Sequence, residues 1–103
     1  MQATTTDNER SVLIAPERII AATRVEFRGV ALEYLESLPA NSQVLVIDMS
    51  RTVELDASGL GILVLIQKRA KERGLTTQLR KTPERVRNLL KLTMLDFLFE
   101  LTD

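Results

Sequence analysis

The chain contains no cysteine, no histidine and no tryptophan. Without cysteine there is no disulfide, no thiol nucleophile, and no sulfur ligand for zinc or an iron–sulfur cluster. Without histidine the commonest general base, metal ligand and near-neutral pH switch are all missing, and a Ser-His-Asp triad cannot be assembled. A surplus of one charge is absent as well: 14 Lys and Arg balance 14 Asp and Glu, which gives no global pull toward nucleic acid. No apolar run reaches the ~18 residues of a membrane-spanning helix. The first residues, Met1-Gln2-Ala3-Thr4-Thr5-Thr6-Asp7, carry neither the basic nor the apolar region of a secretory signal. These absences predict a cytoplasmic binding module with no membrane insertion and no nucleic-acid partner. They predict no enzyme, no cofactor and no metal, since catalysis would have to rely on Asp, Glu, Lys and Tyr.

What is present describes an ordinary globular protein. The 103 residues are 45% hydrophobic and 27% charged, enough for one domain with one core. Residues 1–9 are polar and Thr-rich and read as a flexible tail; 10–103 read as a single domain. Ser11-Val12-Leu13-Ile14-Ala15 is an apolar run stopped by Pro16, a strand and turn, and Arg18-Ile19-Ile20-Ala21 is a short second strand. From Ala22 to Leu38, Phe27, Ala31, Tyr34, Leu35 and Leu38 recur at helical spacing between charged residues, an amphipathic helix. Val44-Leu45-Val46-Ile47 is a continuous apolar run, as in a central strand of a parallel sheet covered on both faces.

Thr52 to Leu55 alternates weakly. Leu60 to Ile66 is apolar nearly all round and runs into the charged stretch Gln67 to Arg73 before Gly74, which reads as a half-buried helix with a wet end. Leu75 to Arg80 is a more polar strand, nearer an edge, and closes a βαβ unit. Thr82 and Pro83 read as the N-cap and first residue of a helix whose inward stripe is Val86, Leu89, Leu90 and Thr93. Leu95 to Leu101 is a last short apolar element. The order of elements predicts an α/β fold, a mixed sheet with helices packed mainly on one face. Between Lys68 and Lys91 nine basic residues face only Glu72 and Glu84, which fits either a docking face for an acidic partner or solvated helix surfaces.

The most informative segment is the junction from Val44 to Gly61. A buried strand ends at Asp48, and Asp56-Ala57-Ser58-Gly59-Leu60-Gly61 opens a helix at the carboxyl end of the sheet, where ligands and partners of open α/β folds gather. A helix start offers unpaired N–H groups and partial positive charge. Ser58 therefore has two readings, an N-cap or a phosphoacceptor at a place that tolerates a dianion. Asp56 orients that hydroxyl, contacts a partner or makes an Asx hydrogen bond in the loop. Asp48 caps or braces the same loop. Gly59 and Gly61 read as sites of close backbone approach, to a partner or to a neighbouring strand.

An apolar strand ending in Asp, followed by Asp56-Ala57-Ser58-Gly59-Leu60-Gly61, resembles the STAS-domain family of anti-sigma factor antagonists. The resemblance extends through the basic helix ending at Gly74, the helix Pro83 to Leu90, and Leu95-Asp96-Phe97-Leu98-Phe99, which matches the family's last helix. It is close over 44–101 and in outline before that. Two glycines common in the family are replaced, one after the first strand by Pro16-Glu17-Arg18 and one before the final Leu-Asp by Met94. The resemblance implies partner switching. A serine kinase that is itself the anti-sigma factor would phosphorylate Ser58 and supply ATP and Mg²⁺, and Asp56, Ala57, Ser58, Gly59, Leu60 and Gly61 would form the binding surface. Two other roles suit the same resemblance: an accessory subunit that binds the ATPase of a bacterial lipid-transport ABC complex, and a stress-signalling scaffold. The oligomeric state, monomer or dimer, is not fixed by these residues.

Overall fold

The computed structural model describes residues 4–6 and 11–103. In chain order, strands β1 (Thr4–Thr6), β2 (Ser11–Ile14) and β3 (Arg18–Ile19) precede helix α1 (Arg24–Ser37). Strands β4 (Val44–Asp48) and β5 (Glu54–Leu55) lead into helix α2 (Ala57–Glu72). Strand β6 (Thr76–Arg80), helix α3 (Glu84–Leu92), a 3-10 turn (Asp96–Leu98) and strand β7 (Glu100–Thr102) follow. The main sheet has the order β1-β2-β4-β6-β7, antiparallel between β1 and β2 and parallel elsewhere. Strands β3 and β5 form a separate parallel pair.

Register explains where the core lies. Leu13 pairs with Ile47, Ile47 with Leu79 and Leu79 with Leu101, so four aliphatic side chains line up across one sheet face. The first three are fully buried. Each such side chain contributes roughly 1.5–3 kcal/mol relative to an exposed one. On this face pack Phe27, Ala31, Tyr34 and Leu35 of α1 and Leu60, Leu63, Ile66 and Ala70 of α2, all in one cluster. Val86 and Leu90 of α3 join it. The expected α/β architecture and the βαβ unit β4-α2-β6 are therefore present, with β4 central and Leu45, Val46 and Ile47 all buried.

Helix ends follow local chemistry. α1 stops at Ser37 because Leu38, extended at ψ 141°, precedes Pro39, which disfavours helical backbone before it. The Arg73 guanidinium donates to the carbonyl of Leu35 and, at 3.2 Å, to that of Leu38. It thus caps α1 from the end of α2, which gives one of the nine basic residues a structural task. Both α2 and α3 end in the same paired arrangement of N–H groups: Gly74 to Lys71 and Leu75 to Ala70 in one, Met94 to Lys91 and Leu95 to Leu90 in the other. The motif requires a left-handed residue, supplied by Gly74 (φ 78°) and Met94 (φ 58°). Met94 thus stands where the backbone itself favours glycine.

Four expectations are corrected. Leu95–Phe99 is not a last helix: only Asp96–Leu98 makes a 3-10 turn, and the chain continues as β7 beside β6, where pairing with the sheet satisfies its backbone. The start of α3 moves by one residue, with Pro83 at the cap position, and the buried Thr82 hydroxyl makes no hydrogen bond, so Thr82 is not a cap. The second strand shrinks to Arg18–Ile19, since Ile20 and Ala21 turn toward α1. Within the segment expected as a tail, Thr4–Thr6 pair with Ser11–Val12–Leu13; the remainder of 1–9 lies outside the described residues.

Replacing Met94 by Gly removes a left-handed backbone penalty of ~1–2 kcal/mol from a side chain that is 77% exposed and loses no packing. Met94→Gly is expected to raise the urea midpoint, and Gly74→Ala, which introduces the same penalty, to lower it.

Candidate functional site

The junction between β4 and α2 is held by a ladder of short contacts. The N–H of Ala15 donates to the Asp48 carbonyl at 3.0 Å and that of Met49 to the Arg80 carbonyl at 2.9 Å, which extends the sheet past the strand ends. Burial pushes the Asp48 carboxyl up. Hydrogen bonds from the Ser50 hydroxyl and backbone N–H, with Lys81 and Arg80 nearby, outweigh this and hold it below the ordinary carboxylate value. The Ser50 N–H lies 2.8 Å from Asp48 Oδ1, so Asp48 braces this loop as expected. Thr52, fully buried, donates its hydroxyl to the Pro16 carbonyl at 2.9 Å. The N–H of Val53 donates to the Glu17 carbonyl at 2.8 Å, which leads the chain into its pairing with β3.

Asp56 is the N-cap of α2. Its Oδ1 accepts the Gly59 N–H at 2.9 Å, and its Oδ2 accepts the Ala21 N–H at 3.1 Å, across 35 residues of chain. Its own N–H donates to the Ile19 carbonyl at 3.4 Å, and its carbonyl accepts the Leu60 N–H at 2.9 Å. The Gly59 N–H first, and those of Ala21 and Ser58 after it, lower the Asp56 carboxyl below its ordinary value against the opposing effect of burial. The cap reading of Ser58 is overturned: Asp56 fills that position and Ser58 sits inside the first turn. The Asx hydrogen bond is the observed role of Asp56.

The six residues of the junction divide by face. Gly59 is buried against β3, and a Cβ there would run into the Ile19 carbonyl oxygen and the Leu55 side chain. The neighbouring strand is thus the object of that close approach. Leu60 also points inward. Ala57 and Gly61 are exposed, Asp56 and Ser58 half-buried. Around Gly61 the space a Cβ would occupy is open, so no neighbouring strand accounts for it. The Ser58 hydroxyl makes no hydrogen bond among the described residues.

A feature not anticipated from the sequence lies beside this turn. Val53 and Leu55 of the β5 segment face Leu89 and Leu92 of α3 across a groove of about 300 Å³, with Arg85 and Asn88 on its rim. Val53 is 58% exposed and Leu92 81%. The available signal was Leu92: it continues the series Arg85, Leu89 and Leu92 along a second face of α3, beside the buried stripe of Val86 and Leu90.

Two predictions test this geometry. Gly59→Ala is expected to destabilise by about 1–3 kcal/mol or more through the clash with β3. Gly61→Ala, entering open space in a helix, is expected to stabilise by about 0.5–1 kcal/mol. Urea unfolding of both variants reads the opposite signs. Asp56→Ala is expected to lower the melting temperature by several degrees at neutral pH. Since the folded protein holds this carboxyl low, its contribution is present above the unfolded value of 3.8 and disappears as pH falls through the folded one. The gap between wild type and variant should therefore close as the protein is acidified below about pH 4, as followed by thermal melts across pH.

A family model described as "Mlab, STAS domain" matches residues 4–100. The crystal structure of a candidate anti-sigma factor antagonist from Thermotoga maritima superimposes with a TM-score of 0.77 at 21% identity, over 97% of this chain and 84% of that one. The NMR structure of the same protein gives 0.79 at 19% identity, over 100% and 81% of the two chains. The crystal structure of an anti-sigma factor antagonist from Mycobacterium paratuberculosis gives 0.75 at 26% identity, over 96% and 81%.

Proposed function

The chain belongs to the STAS-domain family, and from that premise we propose that it is a phosphorylation-controlled binding module, an anti-sigma factor antagonist with Ser58 as phosphoacceptor. The observation that carries this reading is the division of labour in the first turn of α2. Asp56 does the capping, which leaves the half-exposed Ser58 hydroxyl without a structural task. A kinase can therefore take it without dismantling the helix start. The reaction transfers the terminal phosphoryl group of the kinase's ATP to Ser58 Oγ, with loss of the hydroxyl proton and release of ADP.

The product changes the surface sharply. A phosphoserine brings about −1.5 to −2 charges, set beside a carboxylate that its N–H partners keep ionised. The helix N-terminus moderates this charge within the protein, but a partner docked over Ala57 and Gly61 has to bury it or lose contact. Desolvating a charge without a partner group costs several kcal/mol, and about 1.4 kcal/mol is a factor of ten in affinity. One modification is thus enough to release a partner. In this reading the chain is acted upon by a serine kinase that doubles as the anti-sigma factor, and catalyses nothing itself.

The exposed Leu92, Met94 and Phe97, each more than three-quarters solvent-accessible, favour a second reading. They suit a standing interface, as in an accessory subunit bound to an ABC ATPase.

Substitution at Ser58 separates the two. With the purified kinase and ATP, wild type is expected to gain one phosphate located to Ser58 by mass spectrometry, and Ser58→Ala none. Ser58→Asp should bind the kinase at least about tenfold more weakly than Ser58→Ala, with an unchanged melting temperature. Binding of an ABC ATPase that is indifferent to both substitutions would establish the accessory-subunit reading in place of the switch.

A further inference from the structure

We propose that the groove between β5 and α3 seats an acidic amphipathic helix of the partner protein, with Arg85 reading its charge and Leu55, Leu89 and Leu92 its apolar stripe. This rests on the binding-module reading above and names the chemistry of the partner's docking segment. Four observations converge on it.

The walls are apolar and accessible: Val53 and Leu92 are exposed at 58% and 81% although both line the groove. At about 300 Å³ the groove matches the small end of ligand sites, room for a few aliphatic side chains. Its strand wall is too short to accept an added strand, since β5 has two residues and already pairs with β3. A helix laid along α3, anchored at i, i+3, i+4 and i+7, is the recognition mode that remains.

The rim selects charge. Its one acid, Glu54, is neutralised by Arg18, whose Nε lies 3.2 Å from Oε1. Arg85 is exposed and has no ion-pair partner among the described residues. On the rest of α3, Arg87 lies 4.0 Å from the Asp103 carboxylate, which leaves Arg85 and Lys91 against Glu84. The field over the groove is therefore positive and draws an acidic segment. A second copy of this chain is disfavoured by the same arrangement, because a two-fold contact sets two α3 faces of the same net positive sign against each other.

Leu55 connects the groove to the first turn of α2. It forms the groove's wall and at the same time packs against Gly59, the residue after Ser58. A phosphate on the neighbouring Ser58 would add negative charge to the turn that Leu55 touches, and like-charge repulsion would weaken an acidic partner there.

The full-length chain, labelled with ¹⁵N, is titrated with three synthetic helices of about four turns. The first has a leucine stripe flanked by Glu, the second the same stripe flanked by Lys, and the third Glu flanks with Ser replacing every Leu. The Glu-flanked leucine helix is expected to shift the amide resonances of Val53, Leu55, Leu89 and Leu92. It should bind at least about tenfold more tightly than the other two. Arg85→Glu should reverse the preference between the Glu and Lys helices, and Leu92→Ser should weaken the first helix about tenfold. Both side chains are exposed, so folding is preserved, and melting curves verify it. Equal affinity for Glu and Lys helices overturns the proposal. So do shifts confined to another face, or Leu92-dependent self-association in sedimentation without helix binding. The Ser58 experiment reads a separate quantity. Normal phosphorylation with no charge preference in the groove rejects this inference alone, whereas the expected helix binding with an unmodifiable Ser58 rejects the switch alone.

Discussion

The carboxylate of Asp56 ties the start of α2 to the turn into α1, beside the paired strands β3 and β5. One oxygen receives the Gly59 N–H at the start of α2, and the other receives the Ala21 N–H at the turn into α1. Between these bonds the Ile19 carbonyl presses onto Gly59, where only a residue without a Cβ fits. Cap and contact depend on each other. Without the close approach Ala21 would lie out of reach, and without the cap the first turn would have orphan N–H groups facing a strand. From this clasp follow the direction of α2 across the sheet and the position of Leu60 and Leu63 over the Leu13-Ile47-Leu79 row.

The clasp also decides which side chains are left over. In the six residues from Asp56 to Gly61, Asp56 caps, Gly59 touches the strand and Leu60 enters the core, which leaves Ala57, Ser58 and Gly61 as the outward positions. These are small residues, so the surface they make is nearly bare backbone with a single hydroxyl in it. A partner can approach such a surface closely, and any group added to that hydroxyl then has nowhere to hide. Chemical sensitivity here arises from steric emptiness, with the helix dipole as a secondary aid.

Much of this was legible in the sequence where the local signal is unambiguous. Val44 to Ile47 read as a doubly covered strand, and Gly74 after a basic helical tail read as a stop. The junction was recognisable from Asp56-Ala57-Ser58-Gly59, but not the assignment of its cap. Asp56 and Ser58 are both good capping residues, each three positions before a glycine, and the choice is made by Ala21, 35 residues away. The last strand was hidden for a similar reason. Phe97, Leu98 and Phe99 form an apolar run without period, and only the open edge of β6 turns the following Glu100–Thr102 into a strand. Thr4–Thr6 read as part of a polar tail, and only its pairing with β2 makes it a strand. The groove needs β5 and α3 side by side, a fact of tertiary structure that no periodicity contains.

Several residues lower stability without a packing return. Gly61 weakens a helix in open space, Met94 strains a turn that glycine would take at ease, and Leu92 lies in water at 81% exposure. Each breaks a local rule that the rest of the chain obeys, as Gly74 and the Leu13-Ile47-Leu79 row do. Local exceptions in a protein whose core is otherwise consistent are expected at functional sites. Strain alone does not name that function. Gly61 lies on the outer side of α2, and Leu92 and Met94 at the end of α3, two of the three helices whose inner sides build the core. The same helices build the core from one side and, in the binding-module reading proposed above, meet a partner from the other, a demand that would account for the residues the core leaves unexplained.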